Sequence, residues 1–236
     1  MTIKAMILAA GRGERMRPLT DTLPKPLLDV AGKCLIEYRI EALVQAGVRD
    51  IVINASYQAE RLIEVIGDGQ RYGVSIEYSV EEERLETGGG ITQALPLLSD
   101  CFIVVNSDIW TDFDFSYLLQ RAHTLDSDPA LQSILAHFVL VNNPDHHVGG
   151  DLELENGLVC GKARGTALTY SGMGIYKKAL FTTAKIEAFR VTELWADPIV
   201  NKKITGEHYL GQWRDIGTPE RLELLRQDLV TRATCA

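Results

Sequence analysis

Residues Ala5 to Ala10 read AMILAA, an unbroken apolar run, and Gly11-Arg12-Gly13 follows at once. A strand that is apolar at every position, not at every second one, must be buried on both faces. The centre of a parallel sheet covered by helices meets that condition. The run is too short to span a bilayer. A Gly-Arg-Gly turn also stands where a secretory leader would carry a small-residue cleavage site. Together these predict a protein without a membrane segment.

Downstream the hydrophobic period switches back and forth. Ile36, Ile40, Leu43 and Val44 recur at helical spacing and stop at Gly47. DIVINAS, VSIEYSV and CFIVVNSD read as strands, with helices around Leu62 to Ile66 and from Gly88 to Leu98 between them. This alternation predicts an α/β fold: a Rossmann-like open, mixed but mostly parallel sheet flanked by helices. Later segments are less regular. SILAHFVLV and LTYSGMGIY predict strands, and DLELENGLV predicts a hairpin turning at Asn156-Gly157. Val191 to Lys203 reads as a helical stretch interrupted by Pro198. Thr218 as N-cap and Pro219 as first helical residue open a final helix. No repeat or linker-like tract divides the 236 residues, so one domain over 1–236 is expected.

Composition excludes several functions. The formal net charge of -8 argues against nonspecific nucleic-acid binding, which requires neutralising many phosphates. The four cysteines, Cys34, Cys101, Cys160 and Cys235, include no CxxC pair. Cys34 and Cys101 lie in apolar-periodic segments and read as reduced core thiols, which suits the cytoplasm.

The charge that matters is local. LAAGRGERMRPLTDTLPKPL, from Leu8 to Leu27, sets glycines and cations directly after a buried strand. Ligands of open α/β sheets bind at the carboxyl ends of the strands. Glycines there let backbone N–H groups approach an anion. Neither GxxxxGK[ST] nor GxGxxG is present, because Met16 occupies the third-glycine position; this argues against a nicotinamide dehydrogenase. Arg15 can grip phosphate oxygens with its fork, and Lys25 is aimed by the prolines on either side. Asp108 ends an apolar strand, where a charge needs a partner or a cation. Magnesium suits it, although a turn or cap role is the other use of such an aspartate. Asp215 sits in WRDIGTPERL just before a helix start. Glu81, Glu82, Glu83 and Glu86 read as a solvated acidic loop. Asp112 and Asp114 read as caps or surface charges, and His146-His147 lacks a third metal ligand at useful spacing.

Leu8 to Leu27 and WRDIGT resemble the signatures of the sugar-phosphate nucleotidyltransferases, LAAGxGxRM/LxPLT…PKPL and W-x-D-[IV]-G-T. The resemblance implies a nucleotide-binding half over about 1–110 and a sugar-phosphate-binding half over about 111–236. It implies that Ala10, Gly11, Arg12 and Gly13 wrap a nucleoside triphosphate, and that Arg15 and Lys25 bind its phosphates and promote transfer. Asp108 and Asp215 then hold a catalytic Mg²⁺. Gly88 and Gly89 of LETGGGITQAL contact base and ribose, and Asn106 binds the nucleotide. Asn142, Gly150 and Gly172 lie near the sugar. Ser107 stands where the family usually has glycine. No Glu-Lys pair precedes TYSG, and Lys162 lies in a glycine-rich turn, which speaks against a glucose-1-phosphate thymidylyltransferase. TGGGI, VNNPDHH, TYSG and GEHYLGQWRDIGT are similar to the bacterial uridylyltransferases that join UTP to N-acetylmuramic acid 1-phosphate in peptidoglycan recycling. Short mannose-1-phosphate guanylyltransferases share much of this pattern. The partners implied are UTP or another nucleoside triphosphate and a sugar 1-phosphate. A homo-oligomer is compatible with the sequence, whereas nucleic acid and membrane are not expected. A noncatalytic nucleotide-sensing module is the rival class, and the presence of Arg15, Lys25, Asp108 and Asp215 together favours catalysis.

Overall fold

A computed structural model describes residues 2–162 and 167–235. The strands are β1 (Lys4–Leu8), β2 (Asp29–Val30), β3 (Lys33–Cys34), β4 (Asp50–Ala55), β5 (Ser75–Val80), β6 (Cys101–Asn106), β7 (Ile109–Thr111), β8 (Ala136–Val141), β9 (Leu152–Glu155), β10 (Leu158–Gly161), β11 (Thr169–Lys177), β12 (Ile204–Tyr209) and β13 (Trp213–Asp215). The helices are α1 (Leu35–Gln45), α2 (Ala59–Ile66), α3 (Glu86–Ala94), α4 (Phe115–Ser127), α5 (Ala196–Val200) and α6 (Pro219–Cys235).

Nine strands form one sheet in the order β5-β4-β1-β6-β11-β8-β12-β10-β9. All run the same way except β11 and β10, which are antiparallel to both of their neighbours. The fold is therefore the mixed, mostly parallel sheet that the alternation predicts. In β1, Ala5 and Ile7 face one apolar layer with α1, α2 and α4, while Met6 faces another with α3 and α5. Burial on both faces is what makes the run unbroken. A third, smaller cluster joins Met16, Val30, Leu35, Trp110 and Ile216 to Leu222 and Leu225 of α6.

Three short features position the site. A two-stranded ribbon pairs β7 with β13, aligning Asp215 with Ile109. It brings the end of the chain back to the end of β6. A bulge interrupts β11 between Tyr170 and Met173, where Gly172 takes a φ of +79°. The hairpin of β9 and β10 turns at Asn156-Gly157.

One local expectation is corrected. Pro198 does not interrupt the 191–203 stretch. It lies buried in the first turn of α5, where a missing N–H leaves no helical bond unmade. The break falls earlier, between a short 3-10 turn at Val191–Leu194 and α5.

Candidate active site

A cavity of about 480 Å³ opens at the carboxyl ends of β1, β4 and β6. The stretch Leu8 to Met16 lines it, with Lys25, Asn54, Glu81, Thr87, Asn106, Ser107, Asp108 and Gly217. Two glycines shape the loop differently. Gly11 has open space where a side chain would begin. Gly13 has a φ of +63°, and an added Cβ would lie 3.0 Å from Thr20 Cγ2 and 3.1 Å from Lys25 Cβ. The loop closes through Thr20 Oγ1, which donates to the Gly13 carbonyl at 2.8 Å, and through the fully buried Met16.

Lys25 is buried, in a 3-10 turn bounded by Pro24. Its Nζ lies 2.6 Å from Asp108 Oδ2. Asp108 follows β6, and its carbonyl accepts the Ile216 N–H at 2.8 Å. Arg15 is exposed at the cavity wall and bonds no described residue, so its guanidinium is free for a ligand. Arg12 lies over the Tyr57 ring, 5.4 Å from its centroid. Arg17 instead pairs in solvent with Asp21.

Asp215 reaches the same region by the β7–β13 ribbon. Its Oδ2 lies 2.6 Å from Arg221 Nη1 and 3.3 Å from His146 Nε2. The adjacent histidines diverge, since His147 bonds Asp151 at 2.8 Å. Among the described residues, no three His, Cys, Asp or Glu side chains cluster as they would to enclose a metal by themselves.

The acidic loop is corrected. Glu81 is only 3% exposed, and it accepts from Asn54 Nδ2 at 2.7 Å and from the Leu85 N–H at 3.0 Å. Burial pushes its carboxyl above the ordinary glutamate value. Asn54 Oδ1 in turn accepts the Ala9 N–H at 2.8 Å, so this pair braces the strand end that starts the glycine loop. Sequence reasoning missed both residues. Glu86 also lines the cavity, with a φ of +58° that non-glycine residues rarely adopt, and pairs with Arg84 at 3.3 Å.

The N–H groups of Gly88 and Gly89 are not open: both point at the Phe189 carbonyl, at 2.8 and 3.4 Å. A Cβ on Gly88 would stand 2.2 Å from the Phe189 ring, and one on Gly89 2.0 Å from the Glu187 carbonyl oxygen. These glycines are close-packing positions inside α3. Thr87 and Glu86, just before them, face the cavity.

The acceptor-side candidates are spread out. Gly172 packs against Asn106, where an added Cβ would lie 2.6 Å from Nδ2. Asn142 Oδ1 lies 3.0 Å from His208 Nε2. Gly150, with a φ of +59°, packs on the Ala167 backbone, and Lys162 Nζ reaches the Gly150 carbonyl at 3.4 Å. Asp114 caps α4 through the Ser116 N–H, while Asp112 accepts from Tyr209 and from the Gln212 N–H.

This geometry has known counterparts. Residues 4–146 match the Nucleotidyl transferase family. The chain is 46% identical over 230 residues to N-acetylmuramate alpha-1-phosphate uridylyltransferase of Neisseria meningitidis serogroup B, covering 94% of this chain and 96% of that one. It is 31% identical to mannose-1-phosphate guanyltransferase of Hypocrea jecorina, over 92% of this chain and 62% of the longer relative. The crystal structure of HddC from Yersinia pseudotuberculosis complexed with GMP-PN superposes with a TM-score of 0.74 at 25% identity, covering 97% of this chain and all of that one. A glycine loop at the mouth of a parallel sheet, a lysine–aspartate pair beneath it and a match over most of the chain agree: the protein belongs to the nucleotidyl transferase family.

Proposed function

We propose that this enzyme transfers a uridylyl group from UTP to N-acetylmuramic acid 1-phosphate, giving UDP-N-acetylmuramic acid and pyrophosphate in cytoplasmic peptidoglycan recycling. The observation that carries the substrate choice is the near full-length, 46% identity to the Neisseria enzyme of that name. An oxygen of the acceptor phosphate attacks the α-phosphorus of UTP. The bond to the bridging oxygen breaks, and pyrophosphate leaves. The attacking oxygen is already anionic at neutral pH, so no side chain has to act as nucleophile. The barrier is the meeting of two polyanions, which charge neutralisation and alignment lower.

The chain's own groups supply both. Ala10, Gly11, Arg12 and Gly13 wrap the triphosphate, and Arg15 offers a free guanidinium. Lys25, rigid between its prolines, presents an ammonium at the cavity wall. Asn106 and Gly172 shape the boundary between donor and acceptor, with Asn142 and Gly150 further along the acceptor side. Asp108 and Asp215 fit a hard divalent cation: their carboxylates come from elements joined by the β7–β13 ribbon, and phosphate and water complete such a set. Magnesium held there would supply positive charge to offset that of the phosphates.

A guanylyl reading has its own support in the mannose-1-phosphate relative and the GMP-PN complex of HddC. Four nucleoside triphosphates tested against muramic, glucosamine, glucose and mannose 1-phosphates, with pyrophosphate release as the readout, separate the two. A preference for UTP with the muramic acceptor is expected. A preference for GTP with mannose 1-phosphate overturns the substrate choice, and no pyrophosphate from any pair returns the noncatalytic module.

A further inference from the structure

Lys25 holds Asp108 from the donor side, and a second cation stands on the other aspartate. Arg221 Nη1 lies 2.6 Å from Asp215 Oδ2, 3.2 Å from the Asp215 carbonyl and 2.8 Å from His146 Nε2. Helix stability does not explain this arginine. It sits in the first turn of α6, where the positive end of the helix dipole disfavours a cation. The neighbouring backbone makes room for it. A Cβ on Gly217 would fall 2.9 Å from Arg221 Nη2 and 3.0 Å from Asp215 Oδ1, and Gly217 lines the cavity. The guanidinium thus lies behind Gly217, one residue back from the cavity lining. Its Nη1 edge is spent on Asp215 and His146, while Nε and Nη2 bond no described residue. His146 comes from the segment that follows β8, in the acceptor half.

We propose that Arg221 is the acceptor-phosphate ligand of this site and the counter-charge that keeps Asp215 in place when no divalent cation is bound. The inference rests on the nucleotidyl-transfer reading above. The unspent N–H groups of a guanidinium match two phosphate oxygens in a way an ammonium does not. Held against Asp215 behind Gly217, they stand beside the donor cavity, on the side from which His146 of the acceptor half approaches. Arg221 therefore competes with the cation for Asp215 and cooperates with it for the acceptor.

This dual role has a sign that a merely structural one lacks. Manganese(II) is titrated calorimetrically into the wild type, Arg221→Ala, Arg221→Lys and Asp215→Asn. Arg221→Ala is expected to bind the ion about threefold tighter or more, because a positive charge beside the carboxylate is gone. Asp215→Asn is expected to bind it more weakly. In steady-state turnover, Arg221→Ala should raise KM for the acceptor about tenfold or more, the scale of a lost bond to a charged group. KM for UTP should stay within about twofold, since that contact is absent from the donor side. Arg221→Lys should restore the metal affinity to the wild-type level and leave the acceptor KM high. Weaker or unchanged manganese binding in Arg221→Ala overturns the proposal, as does an equal rise in KM for UTP. A loss confined to acceptors that carry a carboxylate also overturns it, by moving the contact off the phosphate. Unchanged manganese binding in Asp215→Asn overturns it together with the metal assignment. If the wild type turns over no sugar 1-phosphate, the proposed reaction fails, and the manganese titration still judges Arg221 by itself.

Discussion

Lys25 Nζ lies 2.6 Å from Asp108 Oδ2, joining residues 83 positions apart. The lysine is buried, while the carboxylate is about one-third exposed toward the cavity. An ammonium in that position is already desolvated and aimed before a nucleotide arrives. Electrostatic help of this kind requires no reorganisation at the moment of reaction. Lys25→Ala should therefore lower kcat/KM for UTP by about a hundredfold or more. Lys25→Arg should not restore it, because a planar guanidinium does not reproduce a compact ammonium set 2.6 Å from Asp108 Oδ2. Pyrophosphate release measured on purified variants checks both.

Asp108→Ala and Asp215→Ala should each abolish metal-dependent turnover, with far-UV circular dichroism unchanged. Near-normal activity in either variant removes that residue from the metal site.

Gly88 and Gly89 should respond to alanine as packing positions. An added methyl meets a movable ring at Gly88 and a backbone carbonyl at Gly89. Both changes should destabilise by about 1–3 kcal/mol, the range for overpacking. Truncating the ring with Phe189→Ala should relieve Gly88→Ala and leave Gly89→Ala unrelieved. Urea unfolding of the two double variants reads this difference.

Tyr57 anchors the glycine loop at two points. Its hydroxyl donates to the carbonyls of Thr20 and Asp21, both at 3.2 Å, and its ring lies under Arg12. Tyr57→Phe keeps the ring and Tyr57→Ala loses both contacts. KM for UTP should rise modestly in the first and further in the second, with kcat nearly constant in Tyr57→Phe. Equal KM values across the wild type and both variants would sink the anchoring role.

Alkaline stability should follow the buried thiol of Cys101, which burial pushes up to about 12. Above the ordinary thiol value of 9.0, the unfolded chain releases that proton while the folded chain keeps it. The folded state then binds more protons, so stability falls as pH rises, by up to about 1.4 kcal/mol per pH unit for this group. Tyr78, also pushed up to about 12 by burial, acts in the same direction at higher pH. Cys101→Ala should be less stable at neutral pH, through the cavity it leaves, yet lose less on going from pH 8 to pH 11. Parallel curves for the two proteins would show that the thiol has no part in the slope.

Much of this was legible in the chain because the signals are local. AMILAA announces a doubly covered strand, and the cations of the loop lie within a few turns of its glycines. Asp108 and Asp215 were legible as charges at the ends of apolar stretches. What the sequence hid depends on partners far along the chain. Glu81 looks like one of four solvated acids until Asn54, on the neighbouring strand, takes one of its oxygens. LETGGG looks like an open glycine surface for a base until Phe189 supplies the carbonyl that occupies the N–H groups of Gly88 and Gly89. Arg221 reads as an ordinary helix residue until His146, 75 positions away, meets its guanidinium.

That ribbon also fixes when the site comes into being. Synthesis runs from the amino end, so the glycine loop, Lys25 and Asp108 are made before Asp215 is translated. Trp110 and Thr111 wait for Trp213 and Arg214, their partners on the last strand. A chain cut short anywhere before β13 lacks the second carboxylate and its arginine together. A product truncated just before β13 carries the glycine loop and Lys25 without the carboxylate and the guanidinium that complete the far side of the site.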